Sequence, residues 1–295
     1  MFELGILSDE VSSDFARSCE LIKSWGLSHV ELRTLWGKNI LELSGEEIEQ
    51  ALVILARYEL QVSALASPIF KSPLNGSPKE VTADFSLAGA EGFEAQLSLL
   101  ERACGLCKPF RTCNVRVFTF WRQDWSEELV RQIGANLLQA ADVAKDYDVR
   151  LVVENEPVCN VRQGWEMGEL FARVKAEASP QALEHLAILW DPGNALYAGE
   201  EAPYPDGYRM LCGHKVAHLH LKDVLFDEEG KPHCVPLGSG KLDVIGQLRH
   251  LAKDGYGGVV VLEPHYRPAG IAQEEAALTC VSAAQRALRE AFGEA

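Results

Sequence analysis

The segment Leu151-Val152-Val153-Glu154-Asn155-Glu156-Pro157 begins as a short apolar run, rich in β-branched residues, and ends in acids and a proline. A run of this length and composition is typical of a strand that is buried on both faces of a parallel sheet. We therefore expect a buried strand from Val149 to Glu154, with polar side chains at its carboxyl end.

Runs of the same kind recur along the whole chain and alternate with longer amphipathic stretches; we count eight of each. The expected strands are Leu4 to Leu7, His29 to Leu32, Gln61 to Ala66, Val115 to Phe120, Val149 to Glu154, Leu186 to Trp190, Val216 to Leu221 and Val259 to Leu262. The expected helices include Asp14 to Trp25, Glu46 to Tyr58, Gln96 to Cys107, Glu127 to Asp146, Met167 to Ala178, Val244 to Lys253 and Glu274 to Ala291.

Strict alternation of strands and helices predicts a parallel sheet, because parallel neighbours need a crossover connection. Eight such units allow the sheet to close, so we expect a single-domain (β/α)8 TIM barrel over residues 1–295. The alternative is a doubly wound open sheet. It is disfavoured because Leu7-Ser8-Asp9-Glu10, and no glycine-rich turn, follows the first strand.

Residues typical of helix ends occur where the expected helices begin and end. Gly26 and Gly255 each follow an expected helix, and Ser44 with Glu47 forms a capping box before the second helix. The longest irregular segments, Pro68 to Gly92 and Phe226 to Gly240, follow strands three and seven, where loops over an active site are expected.

Composition excludes several classes of protein. The chain has 295 residues, of which 47% are apolar and 24% charged, so it is neither disordered nor fibrous. Its 28 basic and 43 acidic residues give a net charge of -15, which argues against nucleic acid and anionic lipid as partners. No apolar run reaches the roughly 18 to 20 residues of a membrane span, and the start lacks a secretory signal pattern. We expect a cytoplasmic protein with no membrane partner.

The eight cysteines are too sparse and irregular for a disulfide scaffold. The nearest approach to a motif is Cys104-Gly105-Leu106-Cys107 with Cys113 beyond it, and no second pair completes a zinc set. We interpret these cysteines as buried free thiols.

Four consecutive strands end in side chains that can bind a metal: Glu154, Asp191, His220 and Glu263. Barrel chemistry lies at the carboxyl ends of strands, so we expect these groups to converge. Converging charges would repel and desolvate one another unless a cation held them. Three oxygen donors and one nitrogen donor suit one divalent ion such as Mn2+, Mg2+, Co2+ or Zn2+.

These residues occur in motifs that resemble those of the xylose isomerase-like TIM-barrel family, also called the sugar phosphate isomerase/epimerase family. The motifs are Val30-Glu31-Leu32-Arg33, Val152-Val153-Glu154-Asn155, Trp190-Asp191-Pro192-Gly193-Asn194, His220-Leu221-Lys222-Asp223, Pro236-Leu237-Gly238-Ser239-Gly240 and Leu262-Glu263. The resemblance runs from the first strand to the last helix, and the order of the motifs makes it specific.

The resemblance implies that Glu154, Asp191, His220 and Glu263 are the family's four metal ligands. Many members carry a histidine where this chain has Asn194, and Glu156 stands where another histidine is common. An amide can bind a hydroxyl group but cannot act as a base, so a second metal or a histidine-assisted step is not expected here. Both Glu156 and Asn194 are candidates for substrate binding.

Strands five and eight lie three places apart in an eight-stranded ring, so Glu154 and Glu263 can approach a substrate from opposite sides. A metal chelating a carbonyl and the neighbouring hydroxyl would acidify the C–H bond between them and stabilise an enediolate. One glutamate would remove the proton and the other would return one. The resemblance implies an isomerase or epimerase, with a dehydratase of the inosose or 3-dehydroshikimate type as the main alternative.

Cationic side chains cluster at the same rim, namely Arg33, Lys71, Arg122, Lys222, His265 and Arg267. In so acidic a chain they favour a small polyhydroxylated substrate that carries an anionic group. Lys222 is the strongest candidate, because it continues the inward alternation of His218 and His220. Trp121 is a candidate for stacking on a sugar ring.

Two further classes compete with this interpretation. An endonuclease IV-like phosphodiesterase needs more histidines, at places where this chain has Arg33, Ser67-Pro68 and Asn194. A sugar-binding barrel without catalysis would not need both Glu154 and Glu263. The sequence leaves open whether the chain forms a homo-oligomer.

Overall fold

The computed structural model describes residues 2–74 and 92–293, which fold into a closed barrel of eight parallel strands. We number the strands β1 (Leu4–Leu7), β2 (His29–Leu32), β3 (Gln61–Leu65), β4 (Asn114–Val117), β5 (Arg150–Glu154), β6 (Leu186–Trp190), β7 (Val216–Leu221) and β8 (Val260–Leu262). Each strand pairs with its neighbours in sequence, and β8 pairs with β1 to close the ring. The predicted (β/α)8 TIM barrel is confirmed.

Helices connect successive strands and cover the outside of the barrel. They are α1 (Phe15–Ser24), α2 (Gly45–Tyr58), α3 (Phe93–Phe110), α4 (Glu127–Lys145), α5 (Gly164–Glu177), α6 (Pro192–Tyr197), α7 (Val244–Lys253) and α8 (Gln273–Phe292). Shorter helical segments are Ser8–Val11, Ile40–Glu42, Pro180–Glu184 and Pro203–Gly207. Within the described ranges, no helix is both long and apolar enough to cross a bilayer.

The expected local signals occur in the structure. The Ser44 side chain accepts a hydrogen bond from the Glu47 amide, while the Glu47 carboxylate accepts one from the Ser44 amide. Gly26 and Gly255 follow α1 and α7 with φ near +80°, a conformation that glycine adopts without steric cost. These residues mark where α2 begins and where α1 and α7 end.

The strands are buried on both faces, as their composition predicts. All five residues of β6 are buried, and so are Leu151, Val152 and Val153 of β5. Burying such a side chain stabilises the fold by roughly 1.5–3 kcal/mol. Burial of the apolar residues thus stabilises strands that carry charged groups at their carboxyl ends.

Several elements differ by a few residues from their predicted extents, among them the fourth strand and the third helix. The fourth strand was expected to run to Phe120, but the ladder ends at Val117. Beyond it, the amides of Phe118 and Phe120 donate to the carbonyls of Ile69 and Phe70 in the loop after β3. The predicted helix from Gln96 to Cys107 is longer, because α3 extends from Phe93 to Phe110. Of the irregular segment expected from Pro68 to Gly92, residues 75–91 lie outside the described residues.

The expected loop from Phe226 to Gly240 contains regular structure. Asp223–Phe226 and Pro232–Val235 form an antiparallel hairpin after β7. Its turn is closed by the Asp227 carboxylate, which accepts hydrogen bonds from the amides of Glu229 and Lys231.

The base of this hairpin is fixed by one buried carboxylate. Asp223 accepts hydrogen bonds from the amides of Val224, Gly238, Gly240 and Leu242 at 2.9–3.0 Å. Gly240 leaves room for it, because a Cβ there would lie 2.2 Å from Asp223 Oδ1. The motif Pro236-Leu237-Gly238-Ser239-Gly240 therefore wraps around the residue that follows Lys222.

Cys104 and Cys107 are buried free thiols on α3, as predicted, whereas Cys113 is exposed. Burial raises the pKa of the Cys104 thiol to about 12, so it stays protonated at neutral pH.

We expect Asp223→Ala to lower the free energy of unfolding by about 2–4 kcal/mol, because it leaves several amides near the barrel without an acceptor. Urea denaturation would measure the loss. Ser239→Ala is the matched control, since Ser239 is an exposed residue in the same loop. Equal stability of the two variants would contradict this role of Asp223.

Candidate active site

A cavity of about 710 Å³ opens at the carboxyl ends of the barrel strands. The side chains that line it are mainly polar and charged, with a few apolar groups. They include Arg33, Lys71, Arg116, Phe118, Glu156, Asn194, Tyr197, Lys222, Glu263 and His265. This is the end of a (β/α)8 barrel at which active sites are found.

Four buried side chains meet beside this cavity, and Glu263 among them lines it: Glu154, Asp191, His220 and Glu263. Each offers one donor atom, and these atoms all lie within 4.8 Å of one another. Glu154 is the last residue of β5, Asp191 and Glu263 directly follow β6 and β8, and His220 lies in β7. We call these four residues the ligand cluster. Parallel register brings them together, although they are far apart in sequence.

The ligand cluster fits a divalent cation. Glu154 Oε2 and Asp191 Oδ2 are buried, and their close contacts are with cations, Arg116 at 3.1 Å and Lys222 at 2.8 Å, so both oxygens lie in a position that attracts positive charge. Such oxygens are costly to bury unless a positive charge or a donor compensates them. With the other two residues they form a set of three oxygen ligands and one nitrogen ligand, a combination that divalent first-row metals and Mg2+ accept.

Cationic side chains also surround the cluster. Lys222 Nζ lies 2.8 Å from Asp191 Oδ2 and 2.6 Å from Glu263 Oε2. Arg116 Nη1 lies 3.1 Å from Glu154 Oε2 and 3.8 Å from Glu263 Oε1. The carboxylates are thus held close together by positive charges that belong to the chain itself.

These cations decide the charge state of the carboxylates. Burial raises the pKa of Glu263, but the positive charges of Lys222 and His265 outweigh it and hold the pKa well below its usual value. For Glu154, burial is likewise outweighed by Arg116 and His220, and its pKa is lowered. For Asp191, burial prevails over Lys222 and raises the pKa. Glu154 and Glu263 are therefore ionised, as a base must be.

Gly193 explains how Lys222 reaches the cluster. A Cβ at position 193 would lie 2.4 Å from Lys222 Cγ and 2.6 Å from the Lys222 carbonyl oxygen. Because Gly193 has no side chain, the turn Asp191-Pro192-Gly193-Asn194 leaves room for the Lys222 side chain to pass.

Asn194 and its neighbour Asn155 hold the turn after β6. The Asn194 side chain donates to the Asn155 carbonyl at 2.8 Å and to Glu154 Oε1 at 3.4 Å. The Asn155 side chain donates to the Asp191 carbonyl and accepts from the Asp191 amide, both at 2.8 Å. Asn194 thus lies at the cavity and touches a member of the ligand cluster.

Within the ligand cluster, His220 contacts Glu154 through one ring nitrogen, and it contacts Glu31 through the other. Its Nδ1 lies 3.1 Å from Glu154 Oε1, and its Nε2 lies 2.8 Å from Glu31 Oε1. Burial lowers the pKa of His220, but the negative charges of Glu31 and Glu154 outweigh it and raise the pKa to about 10. His218, one pleat deeper on β7, binds the other oxygen of Glu31 at 2.6 Å.

A second charged group lies beside the ligand cluster and centres on buried Glu10. Arg33 donates to Glu10 at 2.8 Å and to Glu263 at 2.7 Å, so it joins the two groups. Arg267 and His265 also pair with Glu10, at 2.8 and 2.9 Å. Burial raises the pKa of Glu10, but these cations together lower it to about 2.

The remaining candidates for substrate binding lie in different places. Lys71 lines the cavity, 3.4 Å from Glu156 and above the ring of Phe118. Trp121 and Arg267 are not among the described residues that line the cavity. Trp121 forms an isolated bridge with Cys159 instead.

Glu31, Arg116, Glu10 and Phe118 belong to the site but were not among the sequence candidates. Glu31 and Arg116 carried a usable signal, because each is a single charged residue between apolar residues of a buried strand, as in Val30-Glu31-Leu32 and Val115-Arg116-Val117. An isolated charge in such a strand needs a partner inside the barrel. Glu10 and Phe118 lie where the chain leaves a strand, and no comparable pattern marks them.

Solved structures of similar fold support the architecture. One is an IolI protein with a bound zinc atom, at a TM-score of 0.73 and 18% identity, covering 99% of this chain and 100% of that one. Another is L-ribulose 3-epimerase, at a TM-score of 0.69 and 16% identity, covering 99% and 96%. At these identities the likeness shows the fold alone.

A fusion protein of a xylose isomerase-like TIM barrel and a 4-hydroxyphenylpyruvate dioxygenase is also similar, with a TM-score of 0.73 and 16% identity. The match covers 98% of this chain but only 43% of the fusion protein, so this chain corresponds to part of it.

Sequence comparison addresses the family directly. Curated proteins give no significant match. The family model described as xylose isomerase-like TIM barrel, however, matches residues 19–282, which is most of the chain. That span includes all four residues of the ligand cluster and the motifs after β6, β7 and β8. The chain therefore belongs to the xylose isomerase-like TIM barrel family.

Proposed function

We propose that this chain is a divalent-metal-dependent isomerase or epimerase that acts on a small polyhydroxylated carbonyl compound. The observation that carries the proposal is the ligand cluster, in which two glutamates meet an aspartate and a histidine beside the cavity that Glu263 lines. Membership of the family and the similarity in fold to an L-ribulose 3-epimerase support it.

Glu154, Asp191, His220 and Glu263 would hold one divalent ion, for which Mn2+, Mg2+, Co2+ and Zn2+ are all chemically suitable. When bound, such an ion supplies positive charge that polarises a carbonyl group and acidifies the neighbouring C–H bond. The zinc in the IolI structure and the donor set of this chain both support this cofactor.

Glu154 and Glu263 are the proposed acid and base. Glu154 ends β5 and Glu263 follows β8, and neighbouring cations stabilise the negative charge of both carboxylates. One carboxylate would take the proton next to the carbonyl and later release it to water, while the other would first take a proton from water and then return it to the opposite face. The enediolate that forms in between would lie near the positive charges of Arg116 and Lys222.

The proposed substrate is small enough for a cavity of about 710 Å³ and rich in hydroxyl groups. Asn194, Glu156 and Lys71 line the cavity and can bind hydroxyl groups. The lining cations already have acidic neighbours: Arg33 pairs with Glu10 and Glu263, and Lys222 with Asp191 and Glu263. An anionic substrate would compete with these acids, so we expect neutral keto-polyols to bind at least as well as sugar phosphates.

The enediolate can also lose a β-hydroxyl group, which would make the chain a dehydratase of the inosose or 3-dehydroshikimate type. Both reactions begin with the same proton abstraction and would use the same ligand cluster. The nature of the product separates them, because dehydration yields a conjugated enone and isomerisation does not.

The first experiment is a screen of ketoses, keto-inositols and sugar phosphates with the Mn2+-loaded protein in deuterated water. We expect one deuteron to enter the carbon next to the carbonyl of the true substrate, because the proposed step exchanges that proton with a carboxyl group. Mass spectrometry and NMR would detect it. Absence of exchange in every compound, with the metal bound, would favour a sugar-binding barrel without catalysis.

Removing either proposed acid/base should abolish exchange. We expect Glu154→Gln and Glu263→Gln each to lower the exchange rate by roughly 10²–10⁴-fold, because an amide cannot carry the proton. Glu127→Gln is the matched control, since Glu127 is a surface glutamate with 88% of its side chain exposed. Metal content is measured in each variant, and wild-type exchange by a metal-loaded Glu154 or Glu263 variant would contradict the assignment.

Metal binding should stabilise the fold. At an ion concentration 100 times the dissociation constant, we expect the free energy of unfolding to rise by about 2.7 kcal/mol, and treatment with a chelator should reverse the change. Asp191→Asn should reduce this gain, because it removes a charged ligand. Elemental analysis should give about one ion per chain, and a count near three would instead favour the endonuclease IV-like alternative.

A further inference from the structure

Glu31 is a buried carboxylate that has no place in the proposed proton transfer. It lies on β2, and its side chain spans the barrel interior to reach β7, which is not a neighbouring strand. There it contacts two histidines through different oxygens: Oε1 lies 2.8 Å from His220 Nε2, and Oε2 lies 2.6 Å from His218 Nε2. The Ser63 hydroxyl donates to Oε2 at 3.3 Å. With both oxygens engaged, the carboxylate cannot rotate freely.

This geometry places a hydrogen on Nε2 of His220. An ionised carboxylate can only accept hydrogen bonds, so the nitrogen that contacts it must carry a hydrogen. That nitrogen is Nε2. The other nitrogen, Nδ1, faces the ligand cluster, 3.1 Å from Glu154 and 3.8 Å from Glu263. Both ring nitrogens thus face carboxylates, and a metal ion bound at Nδ1 would displace the hydrogen there while Glu31 keeps the one on Nε2.

We propose that Glu31 is a positioning residue, which acts through His220 by fixing the ring orientation and tautomer that make Nδ1 the metal-binding nitrogen. The proposal rests on the metal site of the proposed function but not on the reaction. Ligating histidines commonly donate their second ring hydrogen to a carboxylate, and loss of that partner typically weakens metal binding 10–100-fold.

His218 completes the arrangement. It donates to the second oxygen of Glu31 and lies two residues before His220 on the same strand. The two imidazole rings meet at an angle of 69° with their centroids 5.5 Å apart. His218 therefore anchors Glu31 from the side away from the cavity. Glu31, His218 and His220 could in principle bind an ion of their own, but the contacts of 2.6 and 2.8 Å have the lengths of charge-assisted hydrogen bonds.

The experiment compares wild type with Glu31→Gln and Glu31→Asp, using Zn2+ and Co2+ as probes. Competition with a chelator gives the affinity, and the visible absorption of bound Co2+ reports the ligand geometry. We expect Glu31→Gln to bind both ions about 10–100-fold more weakly and to change the Co2+ spectrum. Glu31→Asp keeps an acceptor carboxylate and should recover part of the affinity. Wild-type affinity and spectrum in Glu31→Gln would overturn the proposal.

Glu166→Gln is the matched control for loss of a buried carboxylate. Glu166 is fully buried and accepts hydrogen bonds from Arg122 and the Arg162 amide, outside the ligand cluster. It should lower stability and leave the Co2+ spectrum of the metal-loaded protein unchanged. If Glu166→Gln alters the spectrum as Glu31→Gln does, the effect is general destabilisation and the proposal fails.

A measurement on the wild-type protein removes the dependence on folding of the variants. Nitrogen-15 NMR of histidine-labelled, Zn2+-loaded protein should show hydrogen on Nε2 of His220 and zinc on Nδ1. The opposite assignment, or two zinc ions per chain with both nitrogens ligated, would overturn the proposal. Zinc bound at Nδ1 in a protein that exchanges no substrate proton would support this role of Glu31 and contradict the proposed catalysis.

Discussion

The structure depends on positive charges that neutralise a group of carboxylates buried close together. Glu154, Asp191 and Glu263 meet at one end of the barrel, where little water reaches them to stabilise their charges. An isolated buried carboxylate would cost several kcal/mol, so each acid needs a positive partner. Arg33, Arg116 and Lys222 provide such charges from three other places in the chain. The site is therefore a network of charges in which every member stabilises others.

Parallel topology explains why this network forms where it does. The strands of a closed parallel barrel all end on the same face, so residues that follow successive strands become neighbours without long loops to carry them. Glu154, Asp191 and Glu263 owe their proximity to this rule. Arg116 on β4 and Glu31 on β2 add a second relation, since they extend across the interior to Glu263 after β8 and to His220 on β7, which are not neighbouring strands of theirs.

Much of this could be predicted from the sequence, and the limits have physical causes. Alternating apolar and amphipathic stretches predicted the barrel, and polar residues at the ends of strands predicted that Glu154, Asp191, His220 and Glu263 would gather. Pairs that cross the barrel, such as Glu31 with His220, were missed because they depend on strand tilt and side-chain direction. The hairpin after β7 was predicted as an irregular loop, because its two strands are only four residues long and show little alternation of polar and apolar residues.

The hydrogen bonds to Asp223 divide the segment after β7 into a base, where substitutions disturb the charge network, and a tip, where they do not. Its base is tied by four amides to a carboxylate next to Lys222, so a change there would disturb the charge network. The tip of the hairpin carries Lys231, Pro232, His233 and Cys234, which line the cavity described above. Substitutions at the tip alter the chemistry of the cavity wall while the anchored base keeps its place. Variation at the hairpin tip can therefore change what the cavity wall offers to a bound molecule while the ligand cluster stays intact.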